Sequence, residues 1–236
     1  MIVSGKISVK AILQNKKREI KAIYLLDRRR DKDGQYIERI AGNVPVKKLT
    51  REELDELAGN TSHGGYLVEC GERLSDKFES LPSGKRLSFM CLEGVSDPFN
   101  LGEIARTVKS LGFDGLITPS YRFYDNESKL IRASAGASES LWWHQSDNLD
   151  EALQTLKNSG VRIVAAYRGD ESTSLQEYSM PEKVCICLGG AMRGLSASVL
   201  EQSDDHVRID YDARVSLSTV GAASVFAYER FRGGGN

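Results

Sequence analysis

The sequence DPFNLGEIARTVKSLGF, residues 97–113, lies between two short apolar runs. The run before it, Leu87 to Leu92, predicts a buried strand, and the run after it, Gly115 to Thr118, predicts a second strand. Within the stretch, Leu101 to Leu111 predicts a helix. A strand, a helix and another strand in this order are typical of a crossover unit, in which the two strands run parallel.

The same alternation continues towards the C-terminus. The further predicted strands are Val161 to Ala166, Val184 to Leu188 and His206 to Ile209. The further predicted helices are a segment near Lys129 to Gly136, Leu149 to Ser159, Ser196 to Glu201 and Val220 to Arg230. Apolar strands that alternate with helices predict an α/β domain whose parallel sheet is covered on both faces. Ligands of such sheets bind at the carboxyl ends of the strands.

The first 70 residues read as a separate small α/β unit. Thr50-Arg51-Glu52-Glu53 is a helix start, because Thr50 can cap the helix and Glu53 can close a capping box. The polar stretch that follows this unit contains Pro82 and Gly84 and is typical of a linker. We therefore expect a domain of residues 1–71, a linker of residues 72–86 and a larger domain of residues 87–236.

Positive charge is concentrated at the N-terminus. Residues 1–51 hold 14 Lys and Arg against 5 Asp and Glu, whereas the rest of the chain holds 18 against 28. The basic residues cluster at Lys16-Lys17-Arg18, at Arg28-Arg29-Arg30 and at Lys47-Lys48. Such clusters attract phosphates without reading sequence, so they indicate a module that binds a polyanion. A solvated charged surface is the alternative interpretation.

Several classes of protein are not expected. No stretch approaches the roughly 20 apolar residues that a membrane-spanning helix needs, and MIVSGKISVK lacks the apolar core of a secretion signal. The cysteines have no zinc-binding spacing. Cys185 and Cys187 alternate in a predicted strand and face one side of it. We interpret the thiols as structural, expect no metal, and expect a reducing cytoplasm.

Two loops follow predicted strands and are candidates for a ligand site. One is the start of residues 97–113, and the other is CLGGAMRGLS, residues 187–196. Glycines in the second loop allow a close approach of backbone and ligand. The loop has neither the GxGxxG of a dinucleotide site nor the Gly-Lys-Ser of a P-loop, and a plain tight turn is an equal alternative.

Taken together, these segments resemble the motifs of the SpoU (TrmH-like) RNA 2′-O-ribose methyltransferases. Residues 97–113 resemble the first motif, residues 187–196 the second, and RIDY with VSLSTVGAASVFAYE, residues 208–211 and 215–229, the third. Ser134 to Ala137 resembles the Ser-Ala-Gly-Ala segment of the family. The order and spacing agree over residues 87–230, and the first 70 residues resemble the substrate-binding domain of the family.

The resemblance implies a fold and an activity. The implied fold is a parallel-sheet methyltransferase domain with a deep trefoil knot, a rare exception to unknotted topology, behind a small N-terminal α/β RNA-binding domain. The implied activity is methyl transfer from S-adenosylmethionine to a ribose 2′-hydroxyl of RNA. Ribosomal RNA is favoured by analogy, and transfer RNA is the alternative. The resemblance also implies a homodimer.

Matching the motifs residue by residue implies a site. The implied cofactor-binding residues are Gly189, Gly194, Ile209 and Leu217. The implied catalytic residues are Asn100, Arg106 and Ser216. Arg106 has two candidate roles, as the base for the hydroxyl or as the group that holds the target phosphate and stabilises alkoxide charge; a guanidinium pKa above about 12 makes the first role difficult. A surface arginine paired with Glu103 is the alternative. The charge clusters, rather than the motifs, give the candidate RNA-binding residues, which are Arg28, Arg29, Arg30, Lys16 and Lys17.

Two positions depart from the family pattern. Ala191 stands where the second motif has Glu, and Ser218 stands where the third has Asn. An alternative function is therefore a degenerate relative that binds RNA as an assembly factor. Glu103 is a candidate replacement for the missing carboxylate, because Glu103 and Arg106 are three residues apart and would share one face of the helix.

One aromatic cluster allows two interpretations. Trp142-Trp143-His144 is a candidate platform for stacking bases. Packing in the core or at a subunit interface is the favoured interpretation.

Overall fold

The structure is a computed structural model that describes residues 1–27, 31–121, 126–212 and 215–233. The chain divides into two compact units. The first contains residues 1–74 together with 126–140, and the second contains residues 75–121 and the described residues from 141 onwards.

The first 74 residues fold as alternating strands and helices. In chain order the elements are β1 (Ile2–Ser4), α1 (Lys6–Asn15), β2 (Ile20–Leu26), α2 (Lys32–Ile40), β3 (Val46–Leu49), α3 (Arg51–Ala58) and β4 (Tyr66–Cys70). The sheet order is β1-β4-β2-β3, with β2 and β3 parallel and the other pairs antiparallel. The capping box of α3 is confirmed: Thr50 Oγ1 accepts from the Glu53 N–H, and the Thr50 N–H donates to Glu53 Oε2 at 2.7 Å.

The rest of the chain follows the predicted strand–helix alternation. After a short 3₁₀ helix (Phe78–Ser80), the elements are β5 (Leu87–Glu93), α4 (Pro98–Ser110), β6 (Gly115–Pro119), α5 (Glu127–Ala133), α6 (Ala137–Ser140), β7 (Trp142–Ser146), α7 (Leu149–Asn158), β8 (Arg162–Ala166), β9 (Thr173–Ser174), β10 (Lys183–Gly189), α8 (Ala197–Gln202), β11 (Asp205–Arg208) and α9 (Thr219–Arg232).

Helices α5 and α6 pack with the first unit. Ile131 is fully buried in the core cluster of that unit with Ile12 and Val68. The sequence-based division, with its boundary at residue 87, assigns this segment to the second domain. It packs with the first unit because Glu127 and Glu139 pair with buried Arg18, a long-range contact that local patterning does not encode.

The second unit contains a seven-stranded sheet in the order β7-β6-β5-β10-β8-β11-β9. Every neighbouring pair is parallel, which confirms the α/β prediction. Strand β10 lies between β5 and β8, and helix α9 packs against α4. Because all strands point the same way, their carboxyl ends form one edge of the sheet.

The cysteines lie in the core. Cys185 and Cys187 belong to the same core cluster as Cys91 and Phe89, so their side chains face one side of β10 as predicted. Burial raises the pKa of Cys185, and hydrogen bonding to a neighbouring thiol, together with burial, raises the pKa of Cys187 and of Cys91. In the described ranges no group of three or more His, Cys, Asp or Glu is arranged to hold a metal ion.

Trp142 and Trp143 begin edge strand β7 and are buried, which confirms the core interpretation. Trp143 Nε1 donates to Thr118 Oγ1 at 3.0 Å, so its polar atom is satisfied inside the unit. Part of the expected linker runs beside this strand: Asp76 exchanges backbone and side-chain hydrogen bonds with the Trp143 backbone.

Within the described residues, no helix combines the length and apolar character that crossing a bilayer requires.

Candidate functional site

A cavity of about 330 Å³ opens at the carboxyl ends of β8, β10 and β11. Ala166, Gly189 and Arg208 end these three strands and line it. All four residues expected to bind the cofactor also line it, together with Ser216; these are Gly189, Gly194, Ile209, Leu217 and Ser216. They come from three segments between residues 189 and 217, namely the loop after β10, the end of β11 and the stretch before α9, and the fold brings these segments to one edge of the sheet. We call this space the first cavity.

The glycines of residues 189–194 are required by contacts between backbone segments. A Cβ on Gly189 would lie 2.1 Å from the carbonyl carbon of Gly194, and one on Gly190 would lie 2.3 Å from the carbonyl oxygen of Gly94. Both distances are far below any van der Waals contact. A bridge between Gly190 and Gly194 folds the loop back on itself. The loop is therefore a tight turn, as the alternative interpretation had it, and the same turn forms a cavity wall.

Three further hydrogen bonds hold this loop at the sheet edge. The Glu93 carbonyl accepts from the Gly190 N–H at 2.7 Å, and Glu93 Oε2 accepts from the Ser196 N–H at 2.8 Å. On the other side, Thr219 Oγ1 donates to the Gly189 carbonyl at 3.2 Å. The loop is thus tied both to β5 and to the beginning of α9, so one wall of the first cavity has a defined position.

A second cavity of about 460 Å³ adjoins the first. The two share Gly190, Ala191, Arg193, Gly194 and Thr219 in their linings. Asn100 lines the second cavity near the start of α4. Asp97 fixes that start, because Asp97 Oδ1 accepts from the Asn100 N–H at 2.8 Å. Asn100 and Ser216 therefore reach neighbouring cavities rather than a single one.

Arg106 is exposed on α4 and lines neither cavity. The inward face of the helix carries apolar side chains such as Leu101, Ile104 and Val108, which leaves Arg106 to solvent. In the described part of the chain no ion pair joins Arg106 to Glu103. The surface-pair alternative therefore has no contact to support it, and Glu103 does not supply a carboxylate to Arg106.

The two positions that depart from the family pattern have different surroundings. Ser218 caps α9, and its hydroxyl oxygen accepts from the Gly221 N–H at 3.0 Å. Serine and asparagine are similarly good caps, so this change preserves the helix start. Ala191 is exposed and lines both cavities, so neither cavity wall carries the glutamate carboxylate that the family motif has at this position.

Sequence reasoning missed Arg168 and Tyr211, which also line the first cavity. The Arg168 guanidinium carbon lies 4.6 Å from the centre of the Tyr211 ring. Hydrogen bonding from Ser216, and then from Arg168, lowers the pKa of Tyr211. One signal was available: Arg168 follows the end of predicted strand Val161 to Ala166, where ligands of parallel sheets bind.

The expected RNA-binding residues are only partly described. Arg28, Arg29 and Arg30 lie outside the described residues. Lys16 is exposed at the C-cap of α1, and Lys17 is half-buried. Arg18, which the charge pattern grouped with these lysines, is buried and paired with two glutamates, so it contributes no free positive charge.

Two family models match the chain. Residues 88–228 match the SpoU rRNA methylase family, and residues 2–73 match the RNA 2′-O ribose methyltransferase substrate-binding domain. Together the two models cover both of the units described above, apart from a short connecting segment and the chain ends.

Curated relatives and solved structures agree with these matches. The 23S rRNA (guanosine-2′-O-)-methyltransferases RlmB of Pseudomonas aeruginosa and Acinetobacter baylyi are 26% and 27% identical to the chain. The matches cover 94% and 97% of this chain and 92% and 95% of those proteins. The crystal structure of an AdoMet-bound rRNA methyltransferase from Sinorhizobium meliloti shares the fold, with a TM-score of 0.81 at 18% identity over 98% of this chain and 86% of that one. With a family model covering well over half of its length, this chain belongs to the SpoU rRNA methylase family.

Proposed function

We propose that this protein transfers a methyl group from S-adenosylmethionine to a ribose 2′-hydroxyl of RNA, with ribosomal RNA as the favoured substrate. One observation carries the proposal. A single cavity at the carboxyl edge of the sheet is lined by five residues that were chosen only because they match the motifs of the family. The RlmB relatives, named for action on 23S rRNA, support the choice of RNA.

The residues of the first cavity fit S-adenosylmethionine. Its volume of about 330 Å³ lies in the range of about 300–1,000 Å³ that is common for small-molecule sites. Apolar side chains of Leu188, Ile209 and Leu217 suit the adenine ring, and the glycine backbone suits its polar edge. We assign Gly189, Gly194, Ile209 and Leu217 to binding. When bound, the group supplies a methyl made electrophilic by a sulfonium.

The chain's own residues then have to orient the RNA and assist proton loss. We assign Asn100 and Ser216 to hydrogen bonding near the acceptor ribose, from the second and first cavity respectively. We assign Arg106 to a phosphate of the target or to the developing alkoxide, because an exposed guanidinium binds anions with a planar fork and resists deprotonation. This role needs the RNA to extend from the cavities to the exposed face of α4.

We infer that the first unit contributes RNA affinity through its basic residues, including Lys16, Lys17 and Arg28 to Arg30. Its match to a substrate-binding model supports this assignment. Relatives that modify ribosomal RNA favour a cytoplasmic location.

We also infer the trefoil knot and a homodimer. The return of the chain from β11 past Gly189 to α9, which packs on α4, supports the knot. Exposed apolar side chains on α9, namely Val225, Tyr228 and Phe231, support a dimer through this helix.

Ala191 favours a second candidate, a degenerate relative that binds RNA as an assembly factor, with or without cofactor, and transfers no methyl group. Titration of the full chain with S-adenosylmethionine labelled in its methyl group, with and without bulk RNA, separates the two. We expect saturable cofactor binding and label in ribose 2′-O-methyl nucleosides after digestion. Cofactor binding without transfer to any RNA would favour the second candidate. The absence of cofactor binding would contradict the methyl-transfer proposal, and the absence of RNA binding would contradict both candidates.

A further inference from the structure

The first cavity is lined by positive charge and by no carboxylate. Its arginines are Arg168, Arg193 and Arg208, and no Asp or Glu is among its described lining residues. Ala191, at the position of the family glutamate, belongs to this lining, so the chain has lost the one acid that its motif would have supplied. A cavity with this charge distribution favours a ligand that presents an anionic group to it.

The three arginines differ in what they already contact. Arg208 is engaged, because its Nε donates to Asp210 Oδ1 at 2.8 Å and its Nη1 bonds the Ser172 carbonyl. Arg193 lies on the loop shared by both cavities. Arg168 lines only the first cavity, and in the described ranges no carboxylate lies within ion-pair distance of it. Arg168 hydrogen-bonds Tyr211, and its charge helps to lower the pKa of Asp210, the partner of Arg208. Because it forms no ion pair of its own among the described residues, its remaining N–H donors are available to a ligand in the first cavity.

The Tyr211 ring gives Arg168 a defined orientation. The guanidinium carbon lies 4.6 Å from the ring centre, within the range of a cation–π contact. Stacking on an aromatic face restrains the planar group, and N–H donors along its edge stay accessible to a carboxylate. Tyr211 also lines the cavity, so the pair forms part of the wall and is not a separate surface feature.

We propose that Arg168, positioned by the Tyr211 ring, binds the carboxylate of the amino-acid portion of S-adenosylmethionine. The inference rests on the cofactor assignment made above. That carboxylate is the one anionic group of the ligand, whereas its sulfonium and ammonium are cations and its adenosine is neutral. An arginine on a wall without acids therefore attracts the amino-acid end and disfavours the reverse orientation, in which the sulfonium would face the guanidinium.

The test compares two ligands that differ at this end. S-Adenosylhomocysteine carries the amino-acid carboxylate, and 5′-methylthioadenosine has the same adenosine and sulfur without the amino acid. Calorimetric titration of the full chain gives the ratio of their affinities. We expect Arg168→Met to weaken S-adenosylhomocysteine binding about tenfold, equal to about 1.4 kcal/mol, and to leave 5′-methylthioadenosine binding unchanged. Arg168→Lys should recover part of the ratio.

Two further variants act as controls. Arg193→Met removes a charge from the same cavity and should leave the affinity ratio unchanged. Tyr211→Phe keeps the ring and loses only the hydroxyl that Arg168 hydrogen-bonds, so it should lower the ratio less than Tyr211→Ala, which removes both.

Three outcomes would overturn the inference. Unchanged affinity of Arg168→Met for both ligands would exclude the carboxylate contact, and an equal loss of affinity for both ligands would make Arg168 merely structural. A ratio that responds to Arg193→Met instead would move the contact to Arg193. Wild-type protein that binds neither ligand would overturn the cofactor assignment itself, and this result is distinct from the other three.

Discussion

Arg18 Nε donates a hydrogen bond to Glu139 Oε2 at 2.8 Å across 121 residues of chain, and the Arg18 side chain is fully buried. Its Nη2 donates to Glu139 Oε1 and Glu127 Oε1, both at 2.9 Å. Burial by itself lowers the pKa of Arg18, but the hydrogen bonds to Glu139 and Glu127 outweigh it and raise the pKa above its usual value. This cluster joins residues 126–140 to the N-terminal part of the first unit.

Breaking this pair should destabilise the protein. Glu139→Gln leaves the buried guanidinium with half of its negative partners, and removing one partner of a buried pair costs about 3–5 kcal/mol. We expect a loss of that size in the free energy of unfolding from urea titration followed by circular dichroism. Glu38→Gln, which breaks the exposed pair of Glu38 with Lys48, should cost less than about 1 kcal/mol. Equal losses in the free energy of unfolding of the two variants would contradict a stabilising role for the buried contact between Arg18 and Glu139.

Gly189→Ala should damage the first cavity by steric conflict. A Cβ at this position would lie 2.1 Å from the Gly194 carbonyl carbon, so the loop has to move. We expect at least about a tenfold loss of S-adenosylhomocysteine affinity in calorimetry, or about 1.4 kcal/mol. Gly71→Ala is the matched control, because its nearest neighbour would be Glu19 Cβ at 3.7 Å, an ordinary contact. Unchanged ligand affinity in a folded Gly189→Ala protein would show that the loop is not a binding wall.

Arg106→Ala should separate binding from transfer. Arg106 lines neither cavity, so cofactor affinity should stay nearly unchanged. The transfer rate should fall by at least about a hundredfold, or roughly 2.7 kcal/mol of transition-state stabilisation. Arg106→Lys should recover little, because an ammonium lacks the planar fork that binds phosphate. Full activity of Arg106→Ala in single-turnover assays would exclude this residue and direct attention to Asn100 or Ser216.

RNA binding by the first unit should depend strongly on salt. Contacts between basic side chains and phosphates release counterions, so affinity falls steeply as salt rises. Replacing Arg28, Arg29 and Arg30 together by Glu should weaken RNA binding in filter assays and leave cofactor affinity unchanged. A protein that contacts 6–10 phosphates loses a factor of about 10³–10⁵ in affinity between 50 mM and 200 mM salt. Equal RNA affinity at these two salt concentrations would contradict this mode of binding.

Helix α9 should mediate dimer formation. Tyr228 and Phe231 are more than half exposed, and Val225 lies about one turn before Tyr228 on the same helix. We expect the wild-type chain to be a dimer at micromolar concentration in light scattering, and Tyr228→Glu with Phe231→Glu to be a monomer, because a dimer would bury the new charges. Leu74→Glu, which changes an exposed apolar residue of the first unit, should leave the mass unchanged. A monomeric wild type would contradict the proposal.

Local signals explain why much of the fold was predictable. The capping box of Thr50 and Glu53 needs only neighbouring residues, and it forms as expected. The apolar run Val184 to Leu188 is buried on both faces in the middle of the parallel sheet, so its composition already reflects its position. The sequence did not predict edge strand β7, because Trp142 and Trp143 are followed by the polar residues His144 to Ser146 and form no apolar run. A strand at the edge of a sheet tolerates such residues.

The candidate site divides in the same way. Residues 97–113 and 187–196 identify the family from the sequence alone, because their spacing is set within each loop and helix start. Tertiary structure decided the rest. Arg18 changed from a member of a basic cluster to a buried partner of Glu139, and Arg168 came to line the same cavity as Gly189 and Leu217. Both results depend on contacts between distant segments, whose free energy comes from burial and charge pairing in the folded chain and leaves no local pattern.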